Sequence, residues 1–150
     1  MFKKYLLNSK GLTLLELLAV VVILGIISVI AMIAIVNVIA NTKKDAHIAN
    51  AILLVNEAKK YIITEQIEIN DSSGQTIYLK TLIDQQYLSP IKDPHSDGYY
   101  DPDETNVKII KVGNRNVYTV ALKSTTNGFY TNHVKDVFLL TREDIEIKAP

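Results

Sequence analysis

A chain of 150 residues without cysteine has room for one membrane helix and one small domain, and that domain cannot be closed by disulfides. Sixteen basic residues balance sixteen acidic ones, which argues against the broad electrostatic attraction that gathers nucleic acid. The hydrophobic fraction of 48% is inflated by one N-terminal run, so the remainder has ordinary soluble composition.

The first eleven residues carry Lys3, Lys4 and Lys10 and end at Gly11. Residues 17–36 then form a twenty-residue stretch without a charge, interrupted only by Gly25 and Ser28. Twenty helical residues at ~1.5 Å each span ~30 Å, the thickness of the bilayer hydrocarbon, so the run predicts a membrane span. A secretory peptide has a shorter apolar core, ~7–15 residues, and ends at a small-residue cleavage site. The basic leader favours a cytoplasmic N-terminus. A plain single-pass anchor explains all of this except Gly11 and Glu16. The acid at position 16 sits beside a bilayer-length apolar run, where a charged side chain costs ~2.5–3.5 kcal/mol at a helix centre and less near an end.

The stretch Lys10-Gly11-Leu12-Thr13-Leu14-Leu15-Glu16 resembles the class III signal of type IV pilins and pseudopilins. Gly25 matches the mid-helix glycine of that family. Leu12 stands where most members have Phe or Met, and Ile33 where most have Pro. The resemblance implies a leader over residues 1–11, cut after Gly11 by a prepilin peptidase, and a mature chain opening at Leu12, whose amine is N-methylated. It implies a membrane and polymerisation helix over 12–40, a globular head over 41–150, and a polymer of this chain with itself and other pilins on an assembly platform. Glu16, with Thr13 and Gly25, would serve assembly, the carboxylate pairing with the terminal amine of a neighbour and setting its register. Localisation follows: a single-pass precursor in the cytoplasmic membrane, then a surface filament. Loss of the leader would leave thirteen basic against sixteen acidic residues. The family together with the absence of cysteine fits a Gram-positive source. The alternatives are a pseudopilin for DNA uptake or secretion and a membrane-anchored binding domain that never polymerises. Motility, adhesion, competence and secretion are not separated by these residues.

Past residue 36 nothing stops the helix. Ile48, Ile52, Val55, Ala58 and Ile62 recur every three or four residues, one apolar stripe that predicts a single helix from about 12 to 66. Residues 70–75 read as a polar loop, and 76–88 as a short helix with Leu79, Leu82, Ile83 and Tyr87 on one face, ended by Ser89-Pro90. Residues 106–111 and 116–123 read as strands joined by a Gly113-Asn114 turn. Gly128 opens a further candidate, with Val134, Phe138 and Leu140 suggesting a strand over 133–141. The expected fold class is α+β, a long N-terminal helix packed on a small antiparallel sheet.

Residues 93–104 nearly repeat a twelve-residue Ca²⁺ loop, with Asp93, Asp97, Asp101 and Glu104 at positions one, five, nine and twelve and Gly98 at six. His95 falls at position three, where oxygen is expected, and Pro90, Pro94 and Pro102 exclude the usual flanking helices. The competing reading is a solvated acidic turn. Tyr99, Tyr100, Tyr118 and Tyr130 read as core or adhesive surface, core being the more common fate of aromatics beside strands. His47, His95 and His133 are scattered, and nothing in the chain resembles an active site or a phosphate loop, so neither catalysis nor an organic cofactor is expected.

Overall fold

The computed structural model describes residues 13–69 and 74–147. The leader with Gly11, the following Leu12, and residues 70–73 of the polar loop lie outside them. The chain divides into two compact units, Met1–Ile39 and Ala40–Pro150.

Helix α1 runs Leu14–Thr64 without interruption. In the first unit its apolar side chains point outward on every side, from 48% exposed at Val20 to 86% at Leu14. A helix apolar all round and uncovered suits lipid or other helices and does not suit water. Its most apolar window has a mean hydropathy of 3.2 with none of it buried, long and apolar enough to cross a membrane. Ser28 does not break the pattern, because its hydroxyl donates to the Leu24 carbonyl oxygen at 2.7 Å.

In the second unit α1 buries His47, Ala51, Leu54, Val55, Ala58 and Ile62. The stripe is rotated from the expected one: Ile48 and Ile52 are only partly buried, and the inward line passes through His47, Ala51 and Leu54. The helix ends with Gln66 at φ 53° and Ile67 N–H bonded to the Ile62 carbonyl at 3.0 Å, a left-handed cap.

Four antiparallel strands follow in sequential order: β1 Gln75–Tyr78, β2 Asn106–Val112, β3 Arg115–Ser124 and β4 Gly128–Asn132. Val112 pairs with Arg115, so the β2–β3 turn is the two-residue Gly113-Asn114, with Gly113 at φ 61°. Gly74 enters β1 at φ 68°, and a Cβ there would lie 2.6 Å from the Ile109 carbonyl oxygen, so only glycine fits. Ile77, Val107, Ile109, Val120, Leu122 and Tyr130 join the buried face of α1 in one core. Truncating a fully buried member such as Leu54 to Ala would cost about 2–5 kcal/mol.

Two expected elements are corrected. Residues 76–78 belong to β1, where Thr76 and Ile77 pair with Lys108 and Val107, and helix α2 is only Leu79–Asp84. It stops at Gln86, φ 62°, where Gln86 N–H bonds Ile83 and Tyr87 N–H bonds Leu82, a Schellman cap. The strand expected over 133–141 does not form, and β4 occupies the preceding residues. His133 turns the chain at φ 53°, and the Asp136 carboxylate caps a 3-10 turn over Val137–Leu139. Lys59 Nζ lies 4.3 Å and 4.4 Å from the ring centroids of Tyr118 and Phe138, holding that turn against α1 and β3.

Candidate functional site

Thr13 is the residue before the first turn of α1 and Glu16 the third within it. Thr13 N–H and Thr13 Oγ1–H both donate to Glu16 Oε2, at 2.8 Å and 3.0 Å, and Glu16 N–H donates back to Thr13 Oγ1 at 3.2 Å. This is a capping box, in which the spacing Thr-x-x-Glu satisfies donors that a helix start leaves bare. Both side-chain bonds converge on Oε2, so Oε1 is the oxygen that the cap does not use. The carboxylate also lies at the positive end of the helix dipole. Glu16 is therefore held locally through one of its two carboxyl oxygens. Further along, a Cβ built on Gly25 meets nothing within 4 Å, so packing inside the chain does not require glycine there.

Residues 6–36 match the prokaryotic N-terminal methylation motif. The chain carries the class III signal typical of type IV pilins and pseudopilins. No curated protein and no solved structure matches it. The matched segment covers Gly11, Leu12, Thr13, Glu16 and Gly25 and ends within the uncovered half of α1. The α+β head of this pilin-like chain, a long helix on a four-stranded antiparallel sheet, agrees with the expected fold class. Proteins with this signal are typically structural subunits, made as membrane precursors with an apolar N-terminal helix.

In the head, the four acids of the calcium-like loop take separate partners. Asp101 Oδ1 accepts the Asp103 and Glu104 backbone N–H groups, Glu104 pairs with Lys123, and Asp97 lines a shallow hollow of about 180 Å³ with Lys43 and His95. Asp93 alone turns inward, 1% exposed, and is the hub of the segment. Its Oδ2 accepts from Ser96 Oγ at 2.8 Å, Ser124 Oγ at 2.6 Å and Tyr130 Oη at 2.8 Å, and its Oδ1 accepts from His95 N–H at 2.8 Å. Burial pushes this carboxyl up, but the bonds from Ser124, His95 N–H, Tyr130 and Ser96 outweigh it and hold it below the usual range. The loop is closed beneath by the Lys92–Tyr99 bridge and Asp93 N–H on the Gly98 carbonyl.

The side chains of metal-ligand type that do converge among the described residues are His47, Asp93 and His95, whose donor atoms lie within 4.8 Å of one another. His47 Nε2 faces His95 Nδ1 at 2.7 Å, and the rings are within 11° of parallel. Centroids 4.9 Å apart at that nitrogen separation place the rings edge to edge. His47 Nδ1 meets Tyr100 Oη at 2.5 Å, and Asn50 Nδ2 donates to the same oxygen at 3.3 Å. Burial, His95 and Lys43 push His47 down to about 4 against the pull of Asp93, and burial and Lys43 lower His95. Burial raises the Tyr100 and Tyr130 phenols, so both are neutral, and Tyr130 Oη donates to Asp93.

Sequence reasoning on the pilin-like chain missed this cluster. His47 lies four residues before Ala51 on the inward helix line, and its polarity hid it from an apolar stripe. Tyr100 and Tyr130 are buried, at 2% and 1% exposure, whereas Tyr99 is 52% exposed, so the core reading holds for the first pair.

Proposed function

We propose that this chain is a prepilin, cut after Gly11, N-methylated on Leu12 and assembled through the helix of residues 12–40 into a pilus-like filament. The observation that carries this reading is an uncovered helix, apolar on every face, whose first turn holds a locally capped glutamate inside a methylation motif. In the membrane, lipid covers that helix with the leader on the cytoplasmic side. In the filament, neighbouring helices replace lipid. The exchange brings no hydrophobic gain, since lipid is already apolar, and rests on close packing and pairing. Glu16 would supply the pairing. Its Oε1 would accept the Leu12 ammonium of an adjacent subunit while Oε2 keeps the cap. A carboxylate left unpaired away from water is far worse than a paired one, so subunits entering out of register would be rejected. The role is structural, with no catalytic step.

The experiment is mass spectrometry of the mature N-terminus, from membranes and from fibres sheared off the cell. The expected result is a chain lacking residues 1–11 with a methylated Leu12, dominant in the fibres. A processed chain confined to the envelope would mark a pseudopilus subunit. A chain that keeps its leader would make it an anchored domain and end the proposal.

A further inference from the structure

The second unit contains a polar cluster that the proposed assembly through residues 12–40 leaves without a role. Two imidazole nitrogens and a carboxylate come from two places far apart in sequence: His47 from the inward line of α1, Asp93 and His95 from the turn before the sheet. We propose that His47, His95 and Asp93 form a binding site for a divalent transition-metal cation of the zinc class, tying α1 to the 93–98 turn.

The donor set is two nitrogens and one oxygen. That combination suits Zn²⁺ and its borderline neighbours, and it suits Ca²⁺ poorly, because hard cations take oxygen. His95 is the residue that spoils a calcium loop and completes this site. Two of the three ligands, His47 and Asp93, are oriented by outer partners, as metal ligands usually are. His47 Nδ1 is fixed by Tyr100 Oη, itself held by Asn50, which leaves Nε2 aimed at His95 Nδ1. Asp93 Oδ2 is fixed by Ser96, Ser124 and Tyr130, which leaves Oδ1 with the single His95 N–H among the described residues. Entry is from the hollow lined by Lys43, Pro94, His95, Ser96 and Asp97, where a fourth ligand, water, has room.

The metal-free geometry is one step away. With metal–nitrogen bonds of about 2.0–2.1 Å, tetrahedral ligands stand about 3.3 Å apart. The 2.7 Å pair must therefore open slightly and the rings turn so that their lone pairs converge. His95 is the ring that gives, since it is only partly buried. In the metal-free pair one facing nitrogen carries hydrogen. Binding moves that hydrogen to the far nitrogen of the same ring, Nδ1 of His47 or Nε2 of His95, so both imidazoles stay neutral and no net proton is released. Both rings are biased toward the neutral form that a metal needs. Lys43, one turn before His47, opposes the cation and lowers affinity.

The test uses the full chain in detergent micelles, carrying no histidine tag, stripped with a chelator and titrated with Co²⁺ as an optical probe, then with Zn²⁺. The expected result is one Co²⁺ per chain with visible absorption that Zn²⁺ abolishes. His95→Ala, at the rim and tolerant of folding, should weaken Co²⁺ by about 100-fold or more, beyond the 10–100-fold that loss of an outer partner costs. Lys43→Ala should tighten it several-fold. His133→Ala, which removes a histidine outside the cluster, should leave it unchanged. Absence of saturable binding by a folded chain, or equal affinity in His95→Ala and the parent, overturns the proposal, and so does loss of binding in His133→Ala alone.

Discussion

Thr13 and Glu16 close on each other at the start of α1, the threonine donating twice to Glu16 Oε2 and receiving the Glu16 N–H in return. The pair gives Glu16 two separable roles. As an acceptor it caps a helix, worth about 0.5–2 kcal/mol, and glutamine at the same position keeps that bond pattern without the charge's interaction with the helix dipole. The assembly role proposed for it needs the anion, since only a carboxylate would pair with a neighbour's ammonium. Glu16→Gln keeps the cap and removes the charge, whereas Thr13→Val keeps the charge and removes the cap's hydroxyl. The expected outcome is that Glu16→Gln and Glu16→Ala both insert into the membrane and both lose most fibre assembly, measured as sheared fibre against membrane pool. Thr13→Val should retain more assembly than either. Normal fibres from Glu16→Gln would reduce Glu16 to a helix cap.

Gly25 separates the needs of one chain from those of a polymer. A Cβ at this position meets no atom of the chain within 4 Å, and alanine is favoured over glycine in a helix by about 1 kcal/mol. Gly25→Ala should therefore leave insertion and helix content equal or improved. If neighbouring helices approach closely at this point, the added methyl should reduce fibre yield and Gly25→Leu should nearly abolish it. Equal yields from all three chains would place Gly25 away from any helix contact.

The long helix, the β2–β3 hairpin and the antiparallel sheet were legible because each rests on a strong period or a glycine-bearing turn. The boundaries that were missed have a physical cause. Helix α2 ends on Gln86 in the left-handed region, where glycine or asparagine is the usual signal; α1 ends in the same way, at the Gln66 that its apolar stripe predicts. The strand expected over 133–141 failed because His133 takes the same conformation and Asp136 offers its carboxylate to the backbone. The methylation signature was readable in full because it is local. The histidine cluster was not, because its members stand 46 and 48 residues from His47 in the chain and meet only once the turn folds over α1.

Asp144 reports on the C-terminal segment through pH. Its carboxylate accepts from Lys135 Nζ at 2.7 Å and from both Thr141 N–H and Oγ1–H at 2.7 Å, with Arg142 and Glu143 as the charged neighbours on its own turn. The Lys135 bond and then the Thr141 bonds hold its pKa down to about 2. The folded state therefore favours the ionised form, and the unfolded chain takes up the proton first on acidification. The contribution is present above the ordinary value of 3.8 and is lost as pH falls from there toward 2. Carboxyl chemical shifts should place the midpoint near 2, and Lys135→Ala should move it upward. A midpoint at the ordinary value in the parent chain would mean that these bonds are not held in solution.

Asp93 should be the costliest polar residue of the head to remove. Its carboxylate satisfies Ser124 Oγ and Tyr130 Oη, whose residues are each 1% exposed, and a buried donor left without an acceptor carries the full desolvation penalty. Asp93→Ala strips both donors at once and releases the His95 N–H, so the expected destabilisation is about 2–4 kcal/mol. Ser124→Ala removes one of the four bonds to the Asp93 carboxylate together with the acceptor of the Thr126 N–H, for about 1–2 kcal/mol. Tyr130→Phe removes a hydroxyl together with its need for a partner and should fall between them. Denaturant unfolding of the detergent-solubilised chain, followed by tyrosine absorption and circular dichroism, orders the three variants. Were Asp93→Ala no worse than Ser124→Ala, the carboxylate would be one bond among several, and the 93–98 turn would be held by its backbone pairing with Tyr99 and Gly98.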